Sequence, residues 1–250
     1  LLGIPMKNWL ICIDDTDDIG TKGTGEIAEE IAHLLAQNSG GKASFVTRHQ
    51  LFVHPDIPYT SHNSAMCFAL QSPLSQAEIY RLAVAHLVAE SAPKADPGIA
   101  ILDVDSDYDV NALIDFGLRA KCEVITKAAA YQLAEQLQIH LTEHGGTGQG
   151  VIGALAGLGL RLMGNDGRVK GQIKLGQLEE VSLELPVADI LEQTGLDAVM
   201  STDKYRLAAD EKVQLKGKVK AVYLEHQFVL LVAKDGELWR NAGKQALQDY

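Results

Sequence analysis

The sequence predicts an α+β fold in three parts, and three observations carry that expectation. Over residues 1–105, short apolar runs bounded by breakers alternate with stretches of helical period. A second α/β segment, interrupted by a glycine loop, follows over residues 106–165. Residues 166–250 alternate short strands with turns and predict a small β-rich domain.

Trp9–Ile13 is a short apolar run that ends in charges, which predicts a buried strand. Gly25–Ala36 sets Ile27, Ile31, Leu34 and Leu35 on one face at helical spacing, with acidic residues in the first turns where the helix dipole favours them. Ser39-Gly40-Gly41 stops that helix. Ala43–Val53 and Ala65–Leu70 predict strands. Ser75–Glu90 predicts a second helix, with Ser75 as N-cap, Glu78 completing a capping box and Ile79, Leu82, Ala83 and Leu87 as the buried stripe. Gly98–Leu102 predicts a strand after the breaker Pro97. The resulting β-α-β-β-α-β order is the split-βαβ, ferredoxin-like order.

Next come a short helix at Val110–Leu118, a strand at Cys122–Ile125, a helix at Thr126–Leu137 capped by Thr126, and a strand at Ile139–Thr142. His144–Gly150 is a glycine loop leading into an apolar helix, Val151–Met163. Gly164-Asn165-Asp166-Gly167 is a strong turn signal and marks a boundary. Beyond it, Val187–Gln193 predicts a helix and Val213–Val222 and Gln227–Val232 predict strands. Lys234-Asp235-Gly236 predicts a hairpin turn into Glu237–Arg240.

Composition narrows the function. Apolar residues make up 46% of the 250 and charged residues 22%, so the chain is globular rather than disordered. The net charge of −11 disfavours a surface that wraps a nucleic-acid backbone, while leaving room for a local basic patch. No apolar run reaches the roughly 18 residues of a membrane span. Leu1–Lys7 does not read as a signal peptide, and Met6 is a candidate start. Cys12, Cys67 and Cys122 stand apart with no CxxC, which excludes a zinc ribbon built on Cys pairs. Together these features predict a cytoplasmic protein. An apolar sheet face would serve a homodimer as readily as a core.

The sharpest signal is Asp14-Asp15-Thr16-Asp17-Asp18, directly after the first strand. Four carboxylates this close repel one another unless cations neutralise them. A hard divalent cation such as Mg²⁺ takes oxygen ligands of this kind, so Asp14, Asp15, Asp17 and Asp18 are the candidate metal ligands. The loop runs on through Gly20, Lys22, Gly23, Thr24 and Gly25 into the first helix, whose free N–H groups attract anions. The spacing fits neither a P-loop nor an EF-hand. The competing reading is a solvated acidic turn with Thr24 capping the helix.

These residues resemble the IDDTDS…CTT signature of the archaeal tRNA 2-agmatinylcytidine synthetases, which modify an isoleucine tRNA. Ile13–Asp18 matches the first element. Thr24 falls on the first threonine of the second, with Gly23 in place of its cysteine. In that family the loop belongs to an ATP-handling, kinase-like domain, so the resemblance implies ATP as cofactor. Two further stretches match in order. Pro55-Asp56-Ile57-Pro58 followed by Thr60-Ser61-His62-Asn63 resembles NPxIPxKTRGNGA, without its Lys and Arg. Gly148–Ala156 resembles GRGLIGALAA, with Gln149 in place of the arginine. Asp96-Pro97-Gly98 resembles the family's NPG turn. The match spans residues 9–165; the zinc ribbon of the full-length enzymes is absent.

The resemblance implies ATP- and Mg²⁺-dependent phosphoryl transfer, which is mostly positioning and charge neutralisation. Asp14, Asp15 and Asp17 are the expected catalytic residues, with Thr24 as a phosphate contact or transient acceptor. Gly23, Thr24, His62, Asn63, Lys127, Gly148, Gln149 and Gly150 are the expected nucleotide contacts. The lost basic residues and the negative charge point to a small molecule or nucleoside as acceptor. Modification of a tRNA cytidine and a non-catalytic nucleotide-binding module are the alternatives. Asp103, Asp105, Asp107 and Asp109 read as a solvated turn, and His33, His49, His86, His140 and His226 as structural.

Overall fold

A computed structural model describes residues 5–57, 59, 62–171, 173–175 and 182–250. The chain forms two compact units, Leu1–Met163 and Gly164–Tyr250. The first contains β1 (Lys7–Asp14), α1 (Thr24–Ser39), β2 (Lys42–Ala43), β3 (Thr47–Gln50), β4 (Ser64–Ser72), α2 (Gln76–Glu90) and β5 (Gly98–Asp103), then α3 (Val110–Arg119), α4 (Lys127–Gln136), β6 (His140–Glu143) and α5 (Gly150–Met163). The class is α+β, as the sequence predicts.

Its strands run in the order β6-β5-β1-β4-β3, with β2 also on β4, and every pairing is antiparallel. Without β6 this is the ferredoxin-like arrangement, the two βαβ halves interleaved around β1 and β4. Both faces are covered. Trp9, Ile11 and Ile13 pack with Ile27, Ile31, Ile79 and Leu87 of α1 and α2. Leu10 and Cys12 face the other way, into a core with Leu113, Ala130, Leu155 and Leu158 of α3, α4 and α5. A strand buried on both sides has no polar alternation, which is why WLICI reads as an unbroken apolar run. The α2 capping box forms as predicted, and Asp109 and Thr126 cap α3 and α4.

Two expected strands differ. Ala43–Val53 is interrupted, because Ser44 donates its N–H to the Ala69 carbonyl while its hydroxyl accepts the Ala69 N–H. That side chain takes the place of a ladder carbonyl, and β3 begins only at Thr47. It ends at Gln50, where Phe52 turns away to donate to the Ala120 carbonyl. Cys122–Ile125 is a turn, not a strand. The N–H groups of Cys122 and Glu123 both donate to the Arg119 carbonyl at the end of α3, and Glu123 pairs with Arg119.

The second unit holds β7 (Arg168–Val169), β8 (Leu183–Pro186), α6 (Val187–Thr194), β9 (Ala198–Ser201), β10 (Lys212–Leu215), β11 (Ala221–Leu224), β12 (Gln227–Asp235) and β13 (Leu238–Asn241). Its strand order is β7-β11-β12-β13-β10-β8, with β9 parallel to β12. The predicted Val213–Val222 strand divides into β10 and β11. Gly217 adopts φ +65, and Asn241 bonds both the N–H and the carbonyl of Lys216. Among the described residues, no helix is long and apolar enough to cross a membrane.

Candidate functional site

Strand register gathers the sequence motifs at one edge of the first sheet. Asp14 closes β1 opposite Gly98, the first residue of β5, and Gly98 lies opposite Glu143, the last residue of β6. Ile13 pairs with Met66, so the start of β4 at Ser64 reaches the same edge. The acidic loop, residues 62–64, the Asp96-Pro97-Gly98 turn and the glycine loop all hang from it.

The acidic loop is ordered by its own polar groups. Asp14 is buried, and one of its carboxylate oxygens accepts the Asp15 N–H at 2.8 Å. Asp15 adopts φ +56, a conformation L residues rarely take, which turns its side chain away from the strand direction. Thr16 is fully buried; its hydroxyl donates to Thr24 Oγ1 at 3.0 Å, and its carbonyl accepts the Ala92 N–H. Thr24 is also buried, so its hydroxyl braces the loop against the start of α1 rather than standing free. Asp18 holds a turn, accepting the Ile19 N–H and receiving its own N–H partner in Thr21 Oγ1. Gly23 is the N-cap of α1 and offers no side chain there. Lys22 is committed to Glu30 and Glu90, and Glu30 also accepts from His86.

Electrostatics single out the first two aspartates. Burial, with Asp15 and Asp17 close by, pushes the Asp14 carboxyl well above the usual range. Burial, then the neighbouring charges of Asp96 and Asp17, pushes Asp15 up to about 6, against a hydrogen bond from the Asp96 backbone N–H that lowers it. Each is a carboxylate that a positive charge would stabilise. Among the described residues, no three His, Cys, Asp or Glu side chains converge into a metal-holding group. The donor set suits a hard cation that arrives with oxygens of its own, such as phosphates, and takes one or two carboxylates from the chain.

The glycine loop is anchored on both sides. Lys127 Nζ donates to Glu143 at 2.9 Å and to the Thr147 carbonyl at 2.9 Å, and Tyr131 donates to Glu143 at 2.7 Å. Lys127 thus braces the loop through its own partners. Gly148 and Gly150 are buried and Gln149 half-buried as the loop enters α5. The Asp14 carboxylate rests on the first turn of that helix: a Cβ added at Gly153 would fall 1.6 Å from Asp14 Oδ2. The helix dipole favours negative charge in that position, although the N–H groups of Gly150, Val151 and Ile152 already donate to the Asp96, Gly148 and Gln149 carbonyls.

The other expected contacts are placed differently. Asn63 donates to the Phe52 carbonyl at 2.6 Å, and its own carbonyl accepts from the Leu51 N–H and from Gln50 Nε2. Its side chain braces the connection between β3 and β4. His62 is exposed. Pro58, Thr60 and Ser61 lie outside the described residues. Asp96 reads in the sequence only as the first residue of an NPG-like turn, with no role for its side chain, yet its carboxylate accepts both the N–H and the hydroxyl of Thr147. Its one trace in the sequence is the Pro-Gly that follows it.

No protein-family model matches the sequence, and no curated protein matches it. Solved structures share its fold. A tRNA fluorescent labeling enzyme has a TM-score of 0.54 at 24% identity, over 72% of this chain and 38% of its own. A complex of TiaS with an isoleucine tRNA and ATP has a TM-score of 0.54 at 23% identity, over 72% and 39%. This is a TiaS-like core fold. TiaS is a tRNA agmatidine synthetase. Its complex with tRNA, AMPCPP and agmatine gives a TM-score of 0.53 at 19% identity, over 73% of this chain and 43% of that one. The chain therefore spans about two fifths of the length of the enzymes it resembles. The likeness is of fold, and it agrees with the motif resemblance to the agmatinylcytidine synthetases.

Proposed function

We propose that this chain is the nucleotide-handling core of an ATP-dependent tRNA-modifying enzyme. The observation that carries the reading is convergence. The acidic loop, the Asp96 turn and the glycine loop at the start of α5 are far apart in sequence and share one sheet edge. That edge offers carboxylates beside helix-start N–H groups, the two complements that a triphosphate with its cation requires.

In this reading Asp14 and Asp15 hold the cation, with Asp17 adding charge, and Asp18 shapes the loop through its turn. A bound Mg²⁺ supplies charge neutralisation along the triphosphate. Gly23 and Gln149 present backbone N–H groups to phosphate oxygens, while Gly148 and Gly150, whose N–H groups go to the Gly145 and Asp96 carbonyls, let the backbone come close. Thr24 keeps the acidic loop against α1. No single aspartate of the loop is named the base. Phosphoryl transfer of this type is catalysed by orientation and electrostatics, which this rigid edge is built to supply.

The fold likeness favours a tRNA acceptor over the small molecule that overall charge and the missing arginine point to. The charge is also uneven. Residues 164–250 carry 12 Lys and Arg against 14 Asp and Glu, a net of −2, while residues 1–163 carry −9. The negative surplus belongs to the unit with the cation-binding loop, and Lys216-Gly217-Lys218-Val219-Lys220 lies in the other.

The test is a thermal-shift titration of ATP with and without Mg²⁺, followed by nucleotide product analysis with and without bulk tRNA. The expected result is a Mg²⁺-dependent stabilisation of about 3 kcal/mol at a hundredfold excess over Kd, with product formation accelerated by tRNA. No shift at millimolar ATP overturns the nucleotide site. Turnover that tRNA leaves unchanged returns the acceptor to the small-molecule class.

A further inference from the structure

Asp96 is where the two candidate phosphate segments meet, and three of its groups are hydrogen-bonded there. Its backbone N–H faces the Asp15 carboxylate and tempers the rise of that carboxyl. Its carbonyl accepts the Gly150 N–H at 3.1 Å. Oδ1 accepts the Thr147 N–H, and Oδ2 accepts the Thr147 hydroxyl at 2.9 Å. The approach is close enough to exclude side chains: a Cβ at Gly146 would lie 1.6 Å from Asp96 Oδ1, and one at Gly150 would lie 2.3 Å from the Asp96 carbonyl. Gly146 is the residue before Thr147, so the loop backbone lies directly on this carboxylate.

Thr147 is exposed, so the contact fills no core. A carboxylate that gives both oxygens to one exposed loop threonine closes that loop. Lys127 grips the same residue from its other side, through the Thr147 carbonyl at 2.9 Å. Thr147 is therefore held at its N–H, its hydroxyl and its carbonyl at once. The N–H groups that follow it into α5 keep one position relative to Asp15.

We propose that Asp96 is a positioning residue for phosphate: through Thr147 it fixes the glycine loop beside the acidic loop, so that both address one phosphate chain. This rests on the nucleotide reading above. Asp96 touches no reacting atom in this scheme. Removing its carboxylate leaves Gly150 its backbone partner and frees the loop.

The experiment is calorimetric titration of MgATP into the wild type, Asp96→Ala, Thr147→Val, Thr147→Ser and the Asp96→Ala/Thr147→Val double variant, each well below its melting temperature. Asp96→Ala and Thr147→Val are expected to weaken ATP about 10-fold or more, since small misplacements at such sites cost that much. Thr147→Ser keeps the hydroxyl and is expected to stay within about 3-fold of the wild type. The double variant is expected to bind no more weakly than Asp96→Ala, because both changes remove one contact. In turnover the loss falls on KM rather than kcat. Unchanged ATP affinity and KM in both Asp96→Ala and Thr147→Val, even with a lowered Tm, overturns the positioning role and leaves the nucleotide site standing. A wild type that binds no ATP overturns both. If Asp96→Ala does not fold, the exposed Thr147→Val decides alone.

Discussion

The first unit carries two aspartate runs of equal size, and their fates differ. Asp14, Asp15, Asp17 and Asp18 follow β1; Asp103, Asp105, Asp107 and Asp109 follow β5, at the opposite end of the same sheet. In the second run three of the four carboxylates are satisfied by neighbours in the fold. Asp103 pairs with Lys7 at 3.1 Å, Asp105 accepts from the backbone and side chain of Asn8, and Asp109 caps α3. Those bonds from Asn8 hold the Asp105 carboxyl below its usual range. In the first run, burial and like charges push Asp14 and Asp15 the other way. Residue count does not distinguish a structural acid from a poised one. The partners that the fold supplies do.

The comparison is tested most strongly at Asp15. Asp15→Asn is expected to lower ATP-dependent turnover by about 100-fold or more, because it removes charge from where the cation sits. The same change is expected to stabilise the fold at pH 7. The Asp15 carboxyl is raised in the folded state to about 6, so the fold holds its proton more tightly than the unfolded chain does. Stability therefore falls as pH rises from the ordinary carboxylate range through 6. Tm measured from pH 4 to pH 7 is expected to show the variant gaining over the wild type by a few degrees at pH 7, with the gap closing toward pH 4. A variant that melts below the wild type at pH 7, with the difference vanishing on acidification, would mean that Asp15 is held as a stabilising anion, like Asp105.

Much of this architecture is legible in the sequence because it is written locally. Apolar period, the Ser75 and Glu78 box and the cap at Thr126 each depend on residues within one turn, whereas Asp109, which caps α3, reads in the sequence only as part of a solvated turn. The acidic loop is legible because four carboxylates in five residues demand an explanation. What escapes is set by distant partners. The break at Ser44 depends on Ala69, and the end of β3 depends on the Ala120 carbonyl that takes the Phe52 N–H. Asp96 acquires its role from Thr147, 51 residues away, and Asn63 loses its expected one to the Phe52 carbonyl. Lys127 reads as a nucleotide contact by type, yet Glu143 pairs with it.

Packing offers a second way to separate the runs. Gly153→Ala places a methyl where Asp14 Oδ2 now lies, whereas nothing comparable crowds Asp105. Either α5 or the Asp14 carboxylate must move, and overpacking of this kind costs about 1–3 kcal/mol. Denaturant melts and ATP titration are expected to fall together. A Gly153→Ala protein with wild-type stability and ATP affinity would mean that Asp14 can rotate away freely, and its burial would lose its functional meaning.

The smallest effect is the one that closes the comparison. Asp105→Asn retains one acceptor oxygen for Asn8 and removes a charge lowered by that backbone bond. A carboxyl held below its ordinary value adds stability that is present above that value and lost as pH falls below it. Asp105→Asn is therefore expected to reduce Tm slightly at pH 7, with no difference left at strongly acid pH, and to leave turnover and ATP affinity unchanged. The sign is opposite to that of Asp15→Asn, although both remove one carboxylate from a four-aspartate run. If Asp105→Asn instead reduces turnover, the second run is tied to the chemistry through β5, and the division between structural and poised acids fails.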